Sequence, residues 1–150
     1  SARVPVCVSV VIQTSTRAGI VSWQLTLTQR RLFELQTMAG VTSLARASMS
    51  DLMVKPEWER IIRGCMEEIE SVGKASNINL STTVVDDTLN YIMENLKDMH
   101  ASMYSDLLEK RPMELESLTG AVIRAGSNIG CKTPINDLIY AMLKPYAAGA

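Results

Sequence analysis

Histidine occurs once and phenylalanine once in this chain of 150 residues, with three cysteines, five prolines and eight glycines. Each shortage removes a class of chemistry. A lone His100 cannot furnish an HExxH zinc site, and it leaves any Ser-His or Cys-His nucleophile dependent on one base; the residue reads as part of a helix face with no catalytic duty. Cys7, Cys65 and Cys131 are odd in number and 58 and 66 residues apart, so neither a disulfide framework nor a CxxC metal site is indicated. A reducing, cytoplasmic setting and no metal are the simplest expectation. Arg, Gln, Thr or Asp interrupts every apolar run before the ~18 residues a membrane helix requires, which argues against a membrane protein. No glycine set matches GxGxxG or GxxxxGK[ST], since Gly120, Gly126 and Gly130 lie within or at the end of one helical pattern. The chain therefore carries no nucleotide-binding loop of its own.

What is present is a globular composition, 47% hydrophobic and 21% charged, with length for one self-supporting core. The net charge of −1 conceals a division. Residues 1–47 hold Arg3, Arg17, Arg30, Arg31 and Arg46 against Glu34 alone, whereas residues 48–150 hold 10 basic and 15 acidic groups. An acidic body offers no basic face to displace counterions from phosphates, so nucleic acid is not an expected partner.

Residues 1–25 form a leader. Val4, Val6, Val8, Val10 and Ile12 alternate as in a short β-strand. The absence of acids and the frequent Ser and Thr give a faint transit-segment character, which lacks a clean amphipathic helix. The segment reads as the remnant of a larger domain or as appended sequence.

From Thr26 to Ala150 the texture is helical. Leu32, Leu35, Met38 and Ala39 predict a helix to about Arg46. Pro56, with Glu57 and Glu59 in the first turn, opens a second whose stripe is Trp58, Ile61, Ile62, Cys65, Met66, Ile69 and Val72, ending near Ala75. Ser81 as N-cap, then Val85, Leu89, Ile92, Leu96, Met99, Met103 and Leu107, predict one helix of about 28 residues, or about 42 Å, closed by Lys110-Arg111-Pro112. The methionines read as core. Glu114 and Glu116 open the next helix, with Leu115, Leu118, Val122 and Ile123 inward and Gly130 as its stop. Thr133-Pro134 starts the last, a hydroxyl N-cap before proline, with Ile135, Leu138, Ile139, Met142 and Leu143 as its apolar face and Pro145 as its end. The acid pairs Asp86-Asp87, Glu67-Glu68 and Glu114/Glu116 read as solvated or as complements of helix N-termini.

The order of features from the third helix onward is more particular. Ser102-Met103, Asp106, Arg111, Glu114-Leu115-Glu116, Leu118 and Gly120 follow S-M-x-x-D-x-x-x-x-R-x-x-E-[IL]-[DE]-x-[LI]-x-G. Gly130-Cys131-Lys132-Thr133-Pro134-Ile135-Asn136 then follows G-[VI]-x-[TV]-P-x-N. With Ala39 to Ser48, Asp51-Leu52 and Glu67 to Val72, this resembles the C-terminal domain of ketopantoate reductases (2-dehydropantoate 2-reductases) over about residues 29–146.

The resemblance implies an all-α, multi-helix array of the 6-phosphogluconate dehydrogenase C-terminal-like fold. In that family a Rossmann domain holds NADPH, and the helical domain supplies substrate contacts and often a homodimer surface. Ser102 would then bind the carboxylate of a 2-keto acid, and Glu114 the hydroxyl side of the substrate, the two facing one cleft. The family acid, a lysine in a W-x-K setting, falls on Arg31, with Gln29 at the tryptophan. An asparagine that some members carry four residues later falls on Leu35. Arginine stabilises negative charge but is a poor proton donor. About 30 residues before the helical body cannot encode a Rossmann domain, so the chain alone is expected to be inactive. The competing reading is a non-catalytic self-association module, a degenerate paralogue or fragment.

Overall fold

The computed structural model describes residues 22–149, with side chains described from Arg30 onward. The strand expected over Val4 to Ile12 therefore lies outside the described residues. The described residues form seven α-helices and one 3-10 turn, with no strand among them: α1 (Ser22–Ala45), α2 (Met49–Met53), α3 (Pro56–Ala75), α4 (Val84–Asn95), α5 (Ser102–Leu108), α6 (Thr119–Asn128) and α7 (Pro134–Leu143), the 3-10 turn being Lys144–Tyr146. The all-α reading holds. Helix α1 starts at Ser22, ahead of Thr26 where helical texture becomes evident in the sequence.

Helix α1 is the axis of the array. From Gln36 to Ser43 every residue is buried, and the helix packs against α3, α4, α5 and α7. Small side chains let these neighbours approach: a Cβ on Gly40 would stand 3.0 Å from Ile139 Cγ2. Two apolar clusters flank the axis. Met38 and Val41 join Met49, Leu52, Ile62, Met66, Ile69, Val85, Leu89 and Ile92 in the first. Ala39 joins Cys65, Met103, Leu107, Met113, Leu115, Ile139 and Leu143 in the second.

Helix α3 has the predicted limits, with proline in its first turn and Glu57 and Glu59 beside the N-terminus; of the expected stripe, Ile62, Cys65, Met66, Ile69 and Val72 are buried and Trp58 and Ile61 half-buried. The single helix expected from Ser81 to Lys110 is instead two. Leu96 ends α4, and the linker is held from outside: Ser50 N–H donates to the Lys97 carbonyl and Ser50 Oγ to Asp98 Oδ1, both at 3.0 Å. The reason lies in the core. Val85, Leu89 and Ile92 belong to the first cluster and Met103 and Leu107 to the second. Met103 is 1% exposed, but Met99, read as core, is 57% exposed in the linker, where His100 stacks on Tyr104. Ser81 is not the N-cap either. Thr83 holds that position, and Ser81 Oγ accepts from its amide.

The helix expected to open at Glu114 starts at Thr119. Met113 N–H donates to the Ala147 carbonyl at 2.9 Å and Leu115 is fully buried, so residues 111–118 are held as a loop and turn before α6 begins. Gly130, with φ +72°, reverses the chain after α6. On α7, Ile139 and Leu143 are buried as predicted, but Leu138 and Met142 are 59% and 51% exposed.

Candidate functional site

Of the residues that the sequence nominates, Arg31 is exposed on α1, one turn from the half-buried Leu35. Arg30 beside it lies over the Tyr91 ring, 3.9 Å from its centroid. Glu34 is half-buried on the same turn, and burial raises its pKa against the lowering charges of Arg31 and Arg30. Arg31, Glu34 and Leu35 thus form the open side of a helix whose Phe33, Gln36 and Thr37 are buried. Ser102 is exposed at the first residue of α5, and Glu114 is exposed in the loop before α6. Among the described residues no hydrogen bond or ion pair joins Arg31, Ser102 and Glu114. The Glu114 carbonyl has a local task, accepting from Leu118 N–H at 3.1 Å and Ser117 Oγ at 3.2 Å.

The loop carrying Glu114 is tightly held. At one end Arg111 pairs with Asp106 at 2.9 Å and with Glu109. At the other, Glu116 accepts from Tyr140 Oη at 2.5 Å, from Arg124 Nη1 at 3.1 Å and from Lys144 Nζ. These donors, with Lys144 first and Tyr140 next, hold the Glu116 carboxyl down at about 2, although it is solvent-exposed. Sequence reasoning misses this role, reading Glu116 as a helix-terminus charge. Its partners lie 8 to 28 residues away, beyond any local motif.

A second constellation is centred on the half-buried Glu68 and the buried Asn136 and Cys65. Glu68 on α3 caps α7: Ile135 N–H donates to Oε1 at 2.7 Å, Asn136 N–H to Oε2 at 3.0 Å, and Asn136 Nδ2 to Oε2 at 2.7 Å. The capping assigned to Thr133 is thereby done by a residue from another helix, while the Thr133 hydroxyl donates to Asp137. Asn136 also receives the Cys65 thiol at 3.5 Å. Burial pushes the Cys65 pKa up to about 12, despite lowering contributions from Thr37 and Asn136. The signal for this network is present in Thr133-Pro134-Ile135-Asn136 and in Glu67-Glu68, but nothing in the sequence says that Glu68 faces α7.

An open groove of about 460 Å³ runs between α6 and α7, lined by Ile123, Ser127, Cys131, Lys132, Thr133 and Asp137 among others. None of Arg31, Ser102 or Glu114 lines it. Among the described residues no group of His, Cys, Asp and Glu is disposed to hold a metal, and no helix is long and apolar enough to cross a membrane.

A helical array threaded on a largely buried first helix, with no strand among the described residues, is consistent with the all-α 6-phosphogluconate dehydrogenase C-terminal-like fold. More narrowly, the chain belongs to the ketopantoate reductase family: residues 26–147 match the sequence profile of the ketopantoate reductase PanE/ApbA C-terminal domain. The 2-dehydropantoate 2-reductase of Vibrio cholerae serotype O1 is 29% identical over 92 residues, which are 61% of this chain and 31% of that protein. That of Mycobacterium tuberculosis is 29% identical over 87 residues, 58% of this chain and 30% of that protein. The chain thus spans under a third of the curated relatives it matches. Among solved structures, the dimeric ketopantoate reductase from Staphylococcus aureus superposes with a TM-score of 0.74 at 24% identity, covering 87% of this chain and 44% of that one. D-mandelate dehydrogenase with NADH and anilino(oxo)acetate superposes at 0.71 and 22% identity, covering 81% of this chain and 67% of that one. These superpositions establish a shared fold.

Proposed function

We propose that this chain is the substrate-binding and dimerisation half of an NADPH-dependent 2-keto acid reductase acting on ketopantoate or a close analogue. Its match to the ketopantoate reductase C-terminal domain across residues 26–147 carries the reading. The described helices offer no glycine turn between strand and helix to cradle a dinucleotide, so no residue here is assigned to NADPH; the reading gives that task to a Rossmann-type region outside residues 26–147. When bound, NADPH supplies the hydride for the keto carbon.

The chain's own residues have chemically suitable roles. Ser102 presents a hydroxyl that can donate to the substrate carboxylate. Glu114 presents an exposed carboxylate that can accept from a substrate hydroxyl, on a loop fixed at both ends by ion pairs. The Arg31 guanidinium would stabilise negative charge developing on the keto oxygen, leaving water or another acid to deliver the proton.

In the complete gene product, NADPH oxidation with ketopantoate should lose at least about tenfold in kcat/KM on Glu114→Ala and on Ser102→Ala, a difference of about 1.4 kcal/mol for each. Unchanged turnover in both would remove them from the site. Arg31 in place of a titratable donor supports the second reading, a non-catalytic self-association module. That reading requires no turnover of ketopantoate by the complete protein, even with Arg31→Lys.

A further inference from the structure

Glu114 is carried by a turn that its own backbone opens. The Glu114 carbonyl accepts from Leu118 N–H at 3.1 Å, and Gly120 N–H donates to the Leu115 carbonyl at 2.9 Å, so residues 114–118 form one hydrogen-bonded unit leading into α6. Met113 and Leu115 are buried in the second cluster on either side of Glu114, whereas Glu114 and Glu116 are exposed. Two buried anchors set how deeply the loop sits in the core. They leave the turn free to rock about the line that joins them, and only a third fixed point removes that freedom.

Glu116 supplies the third point. An exposed glutamate ordinarily has water for its partners, but this one takes donors from three separate elements. Arg124 of α6 reaches its carboxylate at 3.1 Å and, through Nη2, its carbonyl at 2.7 Å. Tyr140 of α7 donates its hydroxyl, and Lys144 of the 3-10 turn donates from Nζ. Neither apolar cluster includes Glu116, so this clamp orients the turn and does not close a core. Arg124 and Lys144 also offset its charge, so Glu114 does not face an uncompensated like charge two residues away.

We propose that Glu116 is a positioning residue: held by Arg124, Tyr140 and Lys144, it sets the direction in which Glu114 meets the substrate. The inference rests on the reductase reading above, in which Glu114 accepts from a substrate hydroxyl, and adds that the contact is preorganised from the far side of the turn. A substrate contact works when it is held to within about 0.5 Å by a supporting shell, and misplacement by about 1 Å can cost about a hundredfold in rate.

In the complete gene product, Glu116→Ala should lower kcat/KM with NADPH and ketopantoate at least about tenfold while the protein stays folded at the assay temperature. Glu116→Gln, which keeps an acceptor oxygen for Tyr140 and Arg124, should lose less than about threefold. Once Glu114 is replaced by alanine, adding Glu116→Ala should cost less than about twofold, because the residue through which it acts is gone; a merely structural effect would cost the same in either background. In the chain alone, without cofactor or substrate, Glu116→Ala should speed amide hydrogen exchange across residues 114–118. Full activity of Glu116→Ala, equal losses in both backgrounds, or unchanged exchange at 114–118 would overturn the positioning role and leave the reductase reading in place. Full turnover by Glu114→Ala, or no turnover of ketopantoate by the unaltered complete protein, would instead fail that reading, and the inference would fall with it.

Discussion

Glu116 shows how a single exposed residue can organise a loop. Three donors converge on its carboxylate, and Gly120 leaves the space they need: a Cβ there would stand 3.0 Å from both Glu116 Oε2 and Arg124 Nη1. The folded state holds Glu116 at about 2, below the ~4.3 of a free glutamate, so its contribution to stability is complete above about pH 4.5 and is lost as pH falls toward 2. Wild-type protein should therefore lose more of its thermal midpoint between pH 6 and pH 3 than Glu116→Gln does; equal losses would show that the cluster does not stabilise the fold. The buried Cys65 makes the opposite point, that a nucleophile can be silenced by its surroundings. With its pKa pushed up to about 12, Cys65 should resist iodoacetamide at pH 8 until the chain unfolds, as read from its peptide by mass spectrometry. Labelling in the native state would place the thiol outside the core.

Among the elements, the helix α7 N-terminus depends on α3 more than on its own sequence. Glu68 takes two backbone amides and the Asn136 side chain, so Glu68→Ala should destabilise the chain by about 1–2 kcal/mol in urea unfolding, while Glu67→Ala, on the exposed neighbour, should change little. Equal effects would sink the cap. This element also separates what is legible in the sequence from what is not. Helix α3 can be read to its limits because proline, two glutamates and an apolar stripe are local signals. Residues 81–110 read as one helix because the spacing of three and four continues across a break that Ser50 enforces from another element. Leu138 and Met142 fit the period of a buried face but lie on the outer side of α7, since periodicity does not say which of two apolar sides meets the core. Arg31, Ser102 and Glu114 stand out as positions through family likeness; their mutual placement depends on long-range packing that no spacing encodes.

At the scale of the whole molecule, α1 holds together two cores that differ in how they are closed. The first is closed mainly by α2, α3 and α4, three consecutive elements, with Val122 of α6 added. The second draws on α5, the 111–118 loop and α7, with Cys65 from α3, and its closure depends on the last few residues. Met113 N–H reaches the Ala147 carbonyl, Lys144 binds Glu116, and a Cβ at Gly149 would stand 2.7 Å from the Lys110 carbonyl, so the C-terminal segment lies directly against the loop that presents Glu114. Removing residues 144–150 takes away the acceptor for Met113 and one cation of the Glu116 cluster but no member of the first core. Hydrogen exchange by mass spectrometry should then show faster exchange across residues 111–118, with protection in α3 and α4 largely kept, because a segment opens locally when the packing and hydrogen bonds that hold it are removed. If the 111–118 amides stayed protected after truncation, the C-terminal segment would not be what holds Glu114 in place; if α3 and α4 lost protection equally, the two cores would unfold as one.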